Sequence, residues 1–121
     1  MRSIFLRFCI LVLANLAIAN TVMAGPREDI RATISNQLAA FSKDDFDTAF
    51  EFASPQIQGL FQSSDNFGRM VRQGYPMVWR SQDVRFLELS QKSGGFDQVV
   101  RMKDPTGTVH FLRYAMQLVN G

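Results

Sequence analysis

Cysteine is almost missing from this chain of 121 residues: there is one, Cys9, near the N-terminus. Histidine is as scarce, with His110 alone. Beyond Cys9 the chain carries no thiol, so its bulk has no disulfide, thiolate nucleophile or cysteine metal site. A single histidine likewise excludes two-histidine ligand pairs, while a lone histidine base stays open. Long apolar runs are lacking too. The longest, Phe8 to Ala19, is about a dozen residues broken by Asn15, short of the ~18–20 needed to cross a bilayer. Clustered positive charge is also absent: Arg69, Arg72, Arg80 and Arg85 fall on different expected elements, so no nucleic-acid partner is expected. Internal repeats and low-complexity segments are missing as well.

What is present is the composition of an ordinary globular domain, 46% hydrophobic, 12% aromatic and 20% charged, with eleven phenylalanines to build an interior. Met1 to Arg7 are basic, Phe8 to Ala19 apolar, and Asn20 to Ala24 polar and small. That order predicts a secretory signal peptide over residues 1–24, with Val22 and Ala24 as the small residues before the cut. Cys9 lies inside the apolar run and not at its end, so no lipoprotein is expected. The expected mature chain is one domain, 25–121, periplasmic or secreted, with no membrane segment. Removing Arg2 and Arg7 with the leader leaves eleven basic and eleven acidic residues, a formally neutral domain. About 97 residues hold one modest core and no separate cofactor domain.

Ile30, Ile34, Leu38 and Phe41 recur at helical spacing and predict a helix from about Arg27 to Phe41, with Pro26 at its first turn. Ser42-Lys43-Asp44 breaks it. Asp44 is expected to cap a second helix, about Asp45 to Ala53, with Asp45 and Asp47 in its first turn. Ser54-Pro55 can start another turn, and Ser63-Ser64-Asp65 opens a third helix bearing Phe67, Met70 and Val71, which Gly74 is expected to end in a left-handed cap. After Trp79 the period becomes two. Strands are predicted at Val84 to Gln91, Phe96 to Lys103 and Thr108 to Val119, joined by short turns into an antiparallel meander. Val84 and Phe86 share one phase while Leu87 and Leu89 share the other, which implies a bulge near Phe86-Leu87 or burial on both faces. Pro76 to Asp83 leaves room for an extra strand. The expected core includes Ile34, Leu38, Phe50, Phe61, Val71, Val100 and Leu112.

Ile34, Leu38 and Phe41 leading into Asp44-Asp45-Phe46-Asp47-Thr48-Ala49-Phe50, then Phe52-Ala53-Ser54-Pro55, resemble the domain of unknown function numbered 4864. The resemblance continues through Ile57, Phe61, Phe67, Met70-Val71 and Tyr75-Pro76 to a strand ending near Tyr114. It implies an α+β fold in which N-terminal helices pack on a curved antiparallel meander, the cone of the nuclear transport factor 2-like superfamily. Members of the family usually finish with a strand containing Trp and a Gly-Cys pair. That strand is not seen here, and Asn120-Gly121 is a hairpin-turn dipeptide with nothing after it, so a C-terminally truncated domain with an open last strand is expected.

Tyr75, Trp79, His110 and Tyr114 are the candidate pocket residues, each with an apolar body and a polar tip suited to the mouth of such a cone. The competing reading for the aromatics is plain core, and for His110 a rim position. Asp44, Asp45 and Asp47 lack the glycine and closing glutamate of a calcium loop, so helix capping explains them and no metal is expected. No catalytic residue and no cofactor is assigned. The expected function is a non-enzymatic module binding a small molecule or a partner protein through its concave sheet or exposed edge. An isomerase- or dehydratase-like enzyme is the alternative, favoured by an inward carboxylate opposite His110 and Tyr114. A structural homodimer is the third reading.

Overall fold

The computed structural model describes residues 5–11 and 25–119. The expected cleavage residues Val22 and Ala24 and the Asn120-Gly121 turn lie outside the described residues. Strand β1 spans Phe5–Leu11. Among the described residues the helices α1 (Pro26–Ser42), α2 (Phe46–Glu51), α3 (Pro55–Phe61), α4 (Ser64–Gly74) and α5 (Pro76–Trp79) follow, and then strands β2 (Gln82–Lys92), β3 (Gly95–Lys103) and β4 (Val109–Val119). The protein is thus α+β, with helices preceding a three-stranded antiparallel meander. The sheet order is β1-β4-β3-β2, and β1 adds to the meander in parallel along β4. This parallel strand was not expected, because its residues were read as leader.

Local chemistry sets the helix ends. Asp45 accepts from Thr48 N at 3.3 Å, Ser54 from Ile57 N at 3.2 Å and Ser63 from Asn66 N at 3.2 Å, each side chain satisfying a first-turn amide. Residues Pro55 to Phe61, expected only as a possible turn, form the full helix α3. It ends in a left-handed cap at Gln62, φ 70°, and the left-handed cap expected at Gly74 does not occur. Tyr75 instead takes φ −137° because the following Pro76, first residue of α5, disfavours helical backbone before it. The stretch Pro76 to Asp83 is therefore a short helix and the start of β2, not a strand of its own.

The core lies between the helices and one face of the sheet. Ile34, Leu38, Val71, Val100 and Leu112 are buried there as expected, while Phe50 and Phe61 pack only half-buried at its margin. Phe67 is the hub of the helical side, 5.7 Å from Phe41, 5.2 Å from Phe50 and 5.9 Å from Phe61 between ring centroids. On the sheet, Phe86, Val100 and Leu112 are successive register partners across three strands, and Gln98 and Tyr114 are another cross-strand pair on the same inward face. The register of β2 shifts between Gln82 and Arg85 and again between Phe86 and Leu89, so the bulge reading of the phase change holds. Gln98, fully buried, turns its amide into the second bulge and donates to the carbonyls of Leu87 and Glu88, both at 3.2 Å.

Candidate functional site

The four residues expected to share a pocket have separate employments. Tyr75 sits between α4 and α5, where its carbonyl receives Val78 N and Trp79 N and its ring packs half-buried on the core. Trp79 points its indole N–H at Asp44 Oδ1, 2.8 Å away. His110 lies near the start of β4 with Nε2 2.8 Å from Asp104 Oδ2. Tyr114 is buried in the centre of the inward face, where desolvation raises the pKa of its phenol. Trp79 and His110 thus engage carboxylates of two different loops, while Tyr114 packs among the buried side chains of the inward face.

Asp104 is the organiser of the β3–β4 turn. Its Oδ1 accepts from Thr106 N at 2.9 Å, Thr106 Oγ1 at 2.6 Å and Thr108 N at 3.0 Å, leaving Oδ2 for His110. The Thr106 hydroxyl first, and then His110, hold this carboxyl well below the usual carboxylate range. A histidine oriented by a carboxylate is half of a general-base arrangement. The other half would be a buried carboxylate or nucleophile facing it. The buried polar side chains among the described residues are Thr33, Gln37, Ser54 and Gln98, of which none is acidic.

Asp44 does not cap α2, contrary to the sequence expectation; Asp45 does. Asp44 stands just before, at φ 57°, and faces the other way, its two oxygens accepting from Arg80 Nη2 at 3.0 and 3.1 Å and its Oδ1 also from the Trp79 indole. Arg80 lies 4.1 Å over the Trp79 ring and donates to the Phe41 carbonyl at 2.8 Å. The cluster ties the α1–α2 turn to the link between α5 and β2. Asp47 also leaves pure capping, accepting from the Ser64 hydroxyl of α4. Among the described residues no three His, Cys, Asp or Glu side chains gather as metal ligands. No described helix is long and apolar enough to cross a membrane.

The outward face of the sheet carries what the sequence reading missed. Strand alternation places Arg85, Arg101 and Phe111 in one cross-strand row, Val99 and Arg113 in the next, and Lys103 and Val109 at the end. Asp83, at φ 50°, lies within 3.1 Å of both Arg85 and Arg101 and 3.8 Å from Lys103. Hydrogen bonds from Arg85 and Arg101 lower the pKa of its carboxyl. One carboxylate therefore meets three cations, and beside them Phe111 is 43% exposed, Leu87 38% and Val109 37%. The signal was the period-two register: only once the three strands are aligned do these residues, distant in sequence, share a face.

A small hollow of about 130 Å³ opens at the other end of the sheet, lined by the β2–β3 turn and by Ala115, Met116 and Gln117 of β4. None of the four expected pocket residues lines it. There Gly95 meets the backbone of β4 so closely that a Cβ would stand 2.0 Å from the Met116 carbonyl oxygen.

Comparison with known proteins gives one family. The model described as Domain of unknown function (DUF4864) matches residues 24–120. No curated protein and no solved structure matches.

Proposed function

This chain belongs to the family described as domain of unknown function DUF4864, and we propose that it acts as an exported domain that binds a partner protein through the outward face of its sheet. The observation carrying the proposal is the row of Arg85, Arg101 and Phe111 with Leu87 and Val109 beside it, apolar side chains left in water among arginines. Aromatic and arginine side chains in the middle of a face are the usual anchors of a protein contact. Trp79 and His110 are engaged with carboxylates of two separate loops, which favours the outward face over a shared pocket at Tyr75, Trp79, His110 and Tyr114. The proposal includes the nuclear transport factor 2-like cone, for which helices on one face and two bulges that bend β2 are the support. It also includes removal of residues 1–24 and a periplasmic or secreted location, supported by the order of basic, apolar and small residues there.

The test is photo-crosslinking in living cells from a reactive residue placed at Phe111, with exposed Asp65 in the first turn of α4 as the control position. A discrete adduct from position 111 and none from position 65 is expected. No adduct from 111 refutes the site. An adduct of twice the chain mass would replace the partner by a second copy, the homodimer reading.

A further inference from the structure

We infer that the β4 edge from Arg113 to Val119 is a strand-acceptor site, taken in the exported domain by an extended apolar segment of a partner protein, about seven residues long and parallel to β4. The inference rests on the partner-binding reading above and gives it a mode. In the full chain the site is filled by the chain itself: Phe5 to Leu11 pair residue for residue with Arg113 to Val119. β3 follows the opposite edge of β4 only as far as Met116. Among the described strands, Gln117, Leu118 and Val119 therefore have register partners in β1 alone. Helices α1 and α3 also approach β1, so its place is a slot with a hydrogen-bonding wall and a helical side.

The occupant of this slot is the part of the sequence read as leader. Taking away residues 1–24 removes all of β1, and among the described strands this leaves the main-chain N–H and C=O groups of that β4 edge without a neighbour, the condition under which sheets recruit a further strand. Main-chain pairing supplies the attraction, and alternate side chains supply the selectivity. The segment that vacates the slot states what fits it: FLRFCIL, apolar except for Arg7. Leu118, 51% exposed at the far end of β4, offers an apolar contact to such a segment.

Two measurements on the full chain test this. Cys9 and Gln117 are register partners, and paired residues of neighbouring strands lie within disulfide reach, so mild oxidation of the Gln117→Cys variant should close an internal disulfide roughly tenfold faster than the Phe111→Cys variant, whose position has no partner in β1. In a second chain, Phe8→Pro with Cys9→Ser and Gln117→Cys, the proline removes a strand donor and vacates the slot. A synthetic peptide of the Phe5–Leu11 sequence, its cysteine supplied as an activated mixed disulfide with thionitrobenzoate, should then be captured by the thiolate at position 117 with release of the thionitrobenzoate, roughly tenfold faster than the same peptide carrying proline at its centre. Hydrogen exchange over 113–119 should quicken in the Phe8→Pro chain and slow again with the peptide, while 96–103 stays slow throughout.

Absence of the internal disulfide, or equal capture of both peptides, overturns the inference. So does a disulfide-linked dimer in place of peptide capture, which would make a second copy the occupant. Rapid exchange over 96–103 in the Phe8→Pro chain also overturns it, because β1 would then be a fixed part of the fold. None of these readouts involves crosslinking from position 111 or export, so their failure leaves the crosslinking result standing.

Discussion

Side chains that carry amides or carboxylates hold this fold at its irregular points. Gln58 donates to the Phe50 and Ala53 carbonyls at the end of α2, Gln37 to the Ala49 carbonyl across the α1–α2 pair, and Gln98 to the bulge in β2. Replacing Gln98 by Ala leaves those part-buried bulge carbonyls without its amide and opens space where the buried side chain stood, so a loss of about 1–3 kcal/mol is expected by urea denaturation. Gly68 is constrained from the opposite direction: a Cβ there would stand 2.6 Å from the Phe46 ring. Gly68→Ala should therefore cost about 1–3 kcal/mol by overpacking, although alanine favours a helix. Asp104 gives the pH dependence. Its carboxyl is held below the usual range in the folded chain, so its stabilising contribution is complete above about pH 4 and is lost as pH falls from there toward the folded value. Urea midpoints of the Asp104→Asn chain should fall less steeply between about pH 5 and about pH 3 than those of the parent. A residual slope should remain, because Asp44 and Asp83 are lowered too.

Elements of this chain differ in how openly their residues announce them. The long helix α1 and the three strands of the meander were legible because apolar residues repeat at a fixed period and turns interrupt them, as with Ile30, Ile34 and Leu38, or Phe96, Val100 and Met102. Helices α3 and α5 are too short to show a period; only Pro55 and Pro76 at their first positions hinted at them. Asp44 was misread because an aspartate beside a helix start fits a cap by sequence alone. Its partners Trp79 and Arg80 lie more than thirty positions away, and no local pattern points to them. The same distance hid the outward row of Arg85, Arg101 and Phe111. The Asp44 cluster yields an ordering of variants. Arg80→Ala removes the Nη2 ion pair with Asp44, the stacking on Trp79 and the Nη1 bond to the Phe41 carbonyl, whereas Asp44→Asn keeps an acceptor for the indole. Thermal denaturation should show the larger fall for Arg80→Ala, with Arg80→Lys between them because lysine keeps the charge and loses the planar fork. Equal melting of all three would mean that the cluster does not hold the α1–α2 turn in place.

At the scale of the molecule, the sheet is built from two unequal parts. Within residues 25–119 the buried hydrophobic side chains run from Ile30 to Met116, in the helices, the meander and, at Ala53, the link between α2 and α3. Helix α1 starts at its own N-cap, Gly25, whose nitrogen donates to the Glu28 carboxylate at 3.1 Å, so a cut after Ala24 leaves the first helical turn and its acceptor in place. β1 joins the meander along the β4 edge. Ordering each of its residues costs about 1–2 kcal/mol of backbone entropy, while each main-chain hydrogen bond returns a net of about 0.5–1.5 kcal/mol, and the two nearly offset each other. The strand is therefore expected to add little to the stability of the domain it extends. A chain beginning at Gly25 should unfold in one cooperative transition, with a Tm no more than about 10 °C below that of the full chain, since about 1 kcal/mol moves a domain of this size by about 4–8 °C. Circular dichroism melts of the two chains make the comparison. Loss of the cooperative melt in the shorter chain would show β1 to be integral to the fold. Mass spectrometry of protein recovered from the periplasm or medium supplies the other half: Gly25 at the N-terminus is expected, and an N-terminal Met1 would mean that β1 stays on the β4 edge throughout the life of the protein.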